Sequence, residues 1–291
     1  MISFQKQPLM RKVLYSLVPI FVFSFYLYGT RVLWLGIFVF PVGILTEYMM
    51  ERQKNKPVSE AVLVTCSLFL LSLPPLTPWW VAVIGIFFGV FFAKEVYGGF
   101  GRNIFNPAIA ARLFIYISFP TFMTTQWLLP RTDTLTSATP LDLLRTGQSM
   151  DLKNLLLGIR PGAIGESSIP LIALAAIYLI FTKTASFRII ASTFLSASAL
   201  TFLLNMFKMG PSAFPMLLSG SFLFVTVFMA TDPVSAPKRK ESQWIYGVII
   251  GICTVLIRSF SLFSEGTSFG VLIGNTFASL LDEILPKKVK Q

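Results

Sequence analysis

Histidine is absent from all 291 residues and cysteine occurs twice. Without imidazole this chain cannot by itself build a His-ligated haem, a His-containing zinc site, a two-His iron site or a Ser-His-Asp hydrolase. Cys66 and Cys253 are too few to hold an iron–sulfur cluster, and each lies inside an apolar run, where the expected role is that of a buried small hydrophobe. Charge is scarce as well: Asp, Glu, Lys and Arg make up 13% of the chain, against an ordinary share of about 25%. Any redox chemistry here requires an organic cofactor. No residue is expected to act as a catalyst or metal ligand in its own right.

Apolar sequence takes the place of the missing charge, with 54% hydrophobic residues and a mean hydropathy of +0.72. The apolar runs repeatedly approach the roughly 20 residues that a membrane-spanning helix needs, and the alternation of a transmembrane barrel is missing. The sequence predicts an all-α polytopic integral membrane protein with ten spans, near 13–30, 32–50, 60–74, 79–97, 107–123, 168–183, 187–206, 212–230, 243–260 and 267–284. Several are short or broken by Gly and Pro, which a bilayer tolerates only where protein or an aqueous cavity covers the freed backbone groups. The first run, Val13 to Tyr28, is followed by Arg31 and lacks a small-residue cleavage site, so it is expected to stay as a span rather than be removed as a signal peptide.

A net charge of +11 with pI near 9.8 would suggest nucleic acid in a soluble domain. Here the basic residues sort by membrane side instead, and no nucleic-acid partner is expected. With the N-terminus in the cytoplasm, 17 of the 24 Lys and Arg fall on the cytoplasmic side. Arg31, Lys208 and Arg258 fall on the other side, and four more lie in the loop from Thr124 to Ser168, which is long enough to translocate with little regard to charge. The bias predicts cytoplasmic N- and C-termini and an extracytoplasmic loop. It divides the chain into a first membrane repeat (1–123), the loop (124–168) and a second membrane repeat (169–291). Five spans per half would make the repeats inverted copies. "LPPLTPWW" after the third span and "TDPVSAP" after the eighth are matching Pro-rich breaks, and "FGRNIFNPA" has a looser counterpart in "FGVLIGNTFA". Paired broken helices mark the midplane between halves as a binding region.

In "YGGFGRNIFNPAIAAR", Asn106 suits a helix N-cap and Pro107 the first helical position. Gly99, Gly101, Asn103 and Asn106 together also suit a backbone that closes on a planar ligand. Capped turn and ligand contact both remain open. Asp232 in "FMATDPVSAPKRK" closes an apolar span, either as a cap before Pro233 or, if it lies deeper, as a functional carboxylate. Glu47 and Glu95 are expected at the cytoplasmic interface. In "TDTLTSATPLDLLR", Thr139 is placed as N-cap, Pro140 first and Asp142 third in a short amphipathic surface helix. That leaves the upstream hydroxyls and Asp133 without a role.

"DTLTSATPL" resembles the flavin-attachment motif of the RnfD and NqrB family, membrane proteins of the Rnf and Nqr complexes, where D-x-x-S-G-A-T carries FMN through a phosphoester on its final threonine. "LPPLTPWW", "GGFGRNIFNPA" and "VFMATDPVSAP" resemble further stretches of that family in the same order, nearer to its RnfD branch. The resemblance implies covalent FMN on Thr139, within a motif of Asp133, Thr136, Ser137, Ala138 and Pro140. Thr136 stands where the family usually has Ser, and Ser137 where it usually has Gly. It further implies a flavin transferase that moves FMN from FAD, and a redox-driven Na+ or H+ translocase in a bacterial or archaeal inner membrane. Other membrane and peripheral subunits, including a second extracytoplasmic flavoprotein, are the implied partners. Non-covalent riboflavin is placed near Gly99, Gly101, Asn103, Asn106 and Asp232. A different class is an inverted-repeat transporter or channel for a small polar solute without flavin. If Ser137 blocks attachment, a non-catalytic assembly component follows.

Overall fold

Pro8 opens the first helix at a position where its missing N–H is no loss, and in the computed structural model nearly every apolar run continues as helix. The structure describes residues 4–125, 127–132, 134–136, 139–146, 152–209, 213–261 and 263–284. The first half contains α1 (Pro8–Tyr28), α2 (Thr30–Gln53), α3 (Ala61–Ser72), α4 (Trp79–Val90) continued by a π-helical turn (Phe91–Glu95), α5 (Pro107–Ser118) and α6 (Pro120–Thr124). The central segment carries α7 (Pro140–Arg145) and α8 (Leu152–Leu157). The second half contains α9 (Ile169–Phe181), α10 (Phe187–Met206), α11 (Ala213–Leu218), α12 (Phe222–Phe228), α13 (Lys240–Phe260) and α14 (Gly266–Ile284). Among the described residues, strands are limited to two-residue pairs: β1 (Phe4–Gln5) with β2 (Val58–Ser59), and β3 (Trp127–Leu128) with β4 (Leu135–Thr136).

The molecule is an all-α polytopic membrane protein. α1, α2, α10 and α13 are long and apolar enough to cross a bilayer singly. The remaining runs are short helices or composites, such as α4 with its π turn and α11 with α12. Both halves pack in the same pairwise order. In the first, α2 lies on α4, α4 on α5, and α3 on α1 and α5; in the second, α10 lies on α13, α13 on α14, and α12 on α9 and α14. The halves meet where α1 touches α9 and α5 touches α14.

The breaks are covered by protein, as a bilayer demands. α3 ends at Ser72, and the carbonyls of Leu71 and Leu73 accept from the N–H groups of Gly165 (2.6 Å) and Ile164 (3.0 Å). A Cβ at Gly165 would sit 2.7 Å from that of Leu71, so only glycine allows this approach. The central segment is therefore no mere surface loop, because Ala163 and Ile164 are fully buried. Between α11 and α12, buried guanidinium groups do the covering. Arg258 Nη1 donates to the carbonyls of Met216 (3.1 Å) and Ser219 (3.0 Å), and Arg160 Nη1 to that of Leu218 (2.9 Å).

Candidate functional site

Asn106 is the N-cap of α5, its Oδ1 accepting from the N–H groups of Ala108 (3.0 Å) and Ile109 (3.3 Å). With that oxygen fixed, Nδ2 points across the junction between halves and donates to the Met229 carbonyl (3.3 Å) and to Asp232 Oδ2 (3.5 Å). Asp232 caps the turn after α12: Oδ1 accepts from Val234 N–H (3.2 Å) and Oδ2 from the Ser235 hydroxyl (3.0 Å). Asn275 approaches from α14. In the orientation that satisfies both ends of its carboxamide, the oxygen accepts from Asn106 N–H (3.1 Å) and Ser235 Oγ (3.3 Å), while the nitrogen donates to the Tyr246 hydroxyl (2.6 Å) and the Val271 carbonyl (3.0 Å). The loosely matching stretches "FGRNIFNPA" and "FGVLIGNTFA" thus meet at their asparagines.

A cavity of about 50 Å³ adjoins this network, lined in part by Lys94, Asn103, Asn106, Phe228 and Asp232. That is room for a few waters, less than a three-ring flavin requires. Asn103 is used locally, with Nδ2 donating to the Phe105 carbonyl (3.0 Å). Gly99 and Gly101 adopt the left-handed backbone that glycine favours, at φ +91° and +90°. They shape the turn that leads to Asn103 without lining the cavity, and Gly99 packs against the Glu51 carboxylate. As it stands, this arrangement does not fit a second flavin.

Glu47 and Glu95 are buried rather than interfacial, at 1% and 2% exposure. Burial is sustained by pairing. Glu47 accepts from Lys94 Nζ, from Ser59 N–H (2.8 Å) and from the Ser59 hydroxyl (2.5 Å), and Lys54 lies 3.3 Å from Glu95. The charge count by membrane side treats Lys94 and Arg112 as loop charges, yet both are buried at 1% exposure. Arg112 sits inside α5 with Nη2 on Glu166 (3.0 Å) and Glu265 (2.5 Å), so one side chain joins α5, the central segment and the residue before α14. The signal for Arg112 is present in the sequence: a cap at Asn106 puts it about 9 Å along the helix. Nothing comparable marks Lys94. Of the two cysteines, Cys66 is buried and Cys253 only half-buried.

Thr139 is the N-cap of α7, and the geometry follows the sequence expectation with Pro140 first and Asp142 third. Its Oγ1 accepts from Asp142 N–H (3.3 Å), and Asp142 Oδ2 accepts from Thr139 N–H (3.0 Å). Thr136 lies on β4 opposite Trp127, and Pro140 is buried. Asp133, Ser137 and Ala138 lie outside the described residues. α7 is seated on the second half. Leu141 packs with Met216, Leu217, Phe222 and Val255, and Arg145 donates from Nε (3.0 Å) and Nη2 (2.8 Å) to the Arg258 carbonyl and from Nη2 to the Phe263 carbonyl (2.9 Å). Partial burial pulls the Arg145 guanidinium down from its ordinary value, against the attraction of Asp142. A threonine hydroxyl at the head of a short, firmly seated helix fits a phosphoester-linked group, since it is a competent acceptor for phosphate and its position is fixed.

The chain matches the family model described as NQR2, RnfD, RnfE over residues 3–290. It is 36% identical over 267 residues to the NqrB component of the Na(+)-translocating NADH-quinone reductase of Klebsiella pneumoniae (strain 342), covering 85% of this chain and 64% of the relative. The component of the same name from Ectopseudomonas mendocina (strain ymp) is 36% identical over 262 residues, and that from Pseudomonas aeruginosa (strain LESB58) 35% identical over 262 residues, each covering 84% of this chain and 64% of the relative. The chain therefore spans just under two thirds of the length of these curated relatives. With a match that runs almost from end to end, the chain belongs to the NQR2, RnfD, RnfE family.

Proposed function

We propose that this chain is the flavin-carrying membrane subunit of an Nqr- or Rnf-type redox-driven Na+ or H+ pump, with FMN in phosphoester linkage to Thr139. The observation that carries the reading is the seat of that residue: a capping hydroxyl in the "SATPL" string, on a helix fastened to the second half through Leu141 and Arg145. FMN supplies one- and two-electron chemistry that no side chain of this histidine-free chain offers. The protein's share is position, since α7 holds the attachment point at one place on the second half. The Lys and Arg bias survives removal of buried Lys94 and Arg112, so Thr139 is assigned to the extracytoplasmic side with both termini in the cytoplasm. The relatives' name supports the partners: further membrane and peripheral subunits, a second extracytoplasmic flavoprotein among them, and a flavin transferase for maturation.

Coupling to a cation requires that its affinity differ between two arrangements of the protein, since a ligand without differential affinity shifts nothing. The Asn106–Asp232–Asn275 junction is where such a movement of the halves would register. A non-covalent riboflavin near Asn103, Asn106 and Asp232 would require the adjoining cavity to widen, and no step is routed through it. The test is expression of the full chain with its flavin transferase, followed by denaturing electrophoresis and in-gel flavin fluorescence. A fluorescent band is expected for the wild type and for Thr134→Ala, and none for Thr139→Ala. A dark wild-type band overturns the reading in favour of a flavin-free solute pathway.

A further inference from the structure

Resting on that reading, one contact goes beyond what helix capping needs. A capping box uses the N-cap oxygen as an acceptor and the carboxylate at the third helical position as an acceptor from the N-cap N–H; both bonds are present between Thr139 and Asp142. Neither uses the threonine's hydroxyl proton. That proton is directed onto Asp142 Oδ2, with Oγ1 2.6 Å away, a charge-assisted distance. The same carboxylate oxygen is held by Thr139 N–H at 3.0 Å, so it cannot drift from the hydroxyl. Capping boxes more often use Glu or Gln here; the shorter Asp brings its oxygen directly onto the hydroxyl. Thr139 itself is 8% exposed, whereas the Asp142 side chain is 40% exposed and able to pass a proton to solvent.

We infer that Asp142 is the general base for loading of Thr139, so that the acceptor chain brings its own proton acceptor to the flavin transferase. In the balanced step, Thr139 Oγ attacks the flavin-side phosphorus of a flavin dinucleotide, FAD. The Oγ–P bond forms, the phosphoanhydride P–O bond breaks, AMP leaves with the electron pair, and the hydroxyl proton passes to Asp142 and on to water. No electron is gained or lost by the flavin. The arrangement parallels other phosphoryl transfers in which an aspartate accepts the proton of an attacking hydroxyl.

The test uses membranes containing the full chain made without the transferase, then supplied with transferase and FAD, with incorporated flavin followed by in-gel fluorescence and intact mass. Asp142→Asn keeps an acceptor for Thr139 N–H and removes the base; Asp142→Glu keeps a carboxylate in the usual capping-box form. For Asp142→Asn the turnover number of loading is expected to fall about a hundredfold, with the KM for the chain unchanged, while Asp142→Glu recovers most of the rate. A merely structural role predicts instead a raised KM for Asp142→Asn and no dependence of the turnover number on the carboxylate, and that pattern overturns the base. So does loading of Asp142→Asn at the wild-type rate. A wild type that never loads overturns the flavin reading as well, so the two failures are told apart in one experiment.

Discussion

Arg112 shows how much a single buried charge can hold together. Its guanidinium is 1% exposed and pairs with Glu166 and Glu265, carboxylates separated from it by 54 and 153 residues. Removing one partner of a buried pair leaves an uncompensated charge and typically costs about 3–5 kcal/mol, more than the pair itself contributes. Arg112→Leu is therefore expected to destabilise the detergent-solubilised protein by about that much, and the triple change Arg112→Leu, Glu166→Gln, Glu265→Gln by less. Thermal unfolding of the wild type and the two variants checks this; a triple variant weaker than the single one defeats the account. The same residue marks a limit of sequence reading at this scale. Asn106 and Thr139 are legible as caps because Asn-Pro and Thr-Pro fix the start of a helix through local hydrogen bonds. Arg112, Lys94 and Glu47 are not legible as buried, because their environment is made by partners far away in the chain.

At the level of elements, the breaks are where helix geometry and bilayer chemistry conflict, and long-range donors resolve the conflict. The Pro-rich stretch after α3 announces its break, but the cover does not announce itself: Ile164 and Gly165 donate to it from residues that composition assigns to a surface loop. α10 and α13 are joined differently. Gly247 and Gly251, one turn apart on α13, sit against Ser192 and Ser196, and a Cβ at either would fall within 2.0 Å of a serine Oγ. Close approach through small residues is what binds helices when lipid is as apolar as the side chains. Gly251→Val should force α10 from α13 and cost about 1–3 kcal/mol through overpacking. Gly36→Ala, whose Cβ would meet Leu70 at an ordinary 3.5 Å, should be nearly neutral. Thermal stability of the two variants in the same detergent compares them, and equal losses would show that the α10–α13 seam is not the tight contact described.

For the whole molecule, the apolar runs and their order are legible because each must satisfy its own backbone within the bilayer, a local requirement that leaves a local signature. The common pairing order of the two halves is only hinted at, since it depends on packing rather than on periodicity. The side of the membrane on which Thr139 lies is the global property that the proposed function needs most, because the flavin transferase and a second flavoprotein would have to reach it. It rests on the Lys and Arg bias, and the bias has a sharp consequence in intact cells. In a background with Cys66 and Cys253 replaced by serine, a cysteine at exposed Thr134, in the central segment, should react with a membrane-impermeant maleimide from outside. One at exposed Gln53, at the end of α2, should react only after the membrane is permeabilised. Since an even number of spans returns both ends to one side, a tag at either terminus should behave like Gln53. Labelling of Gln53→Cys in intact cells, with Thr134→Cys protected, would invert the molecule and place Thr139 out of reach of any extracytoplasmic partner.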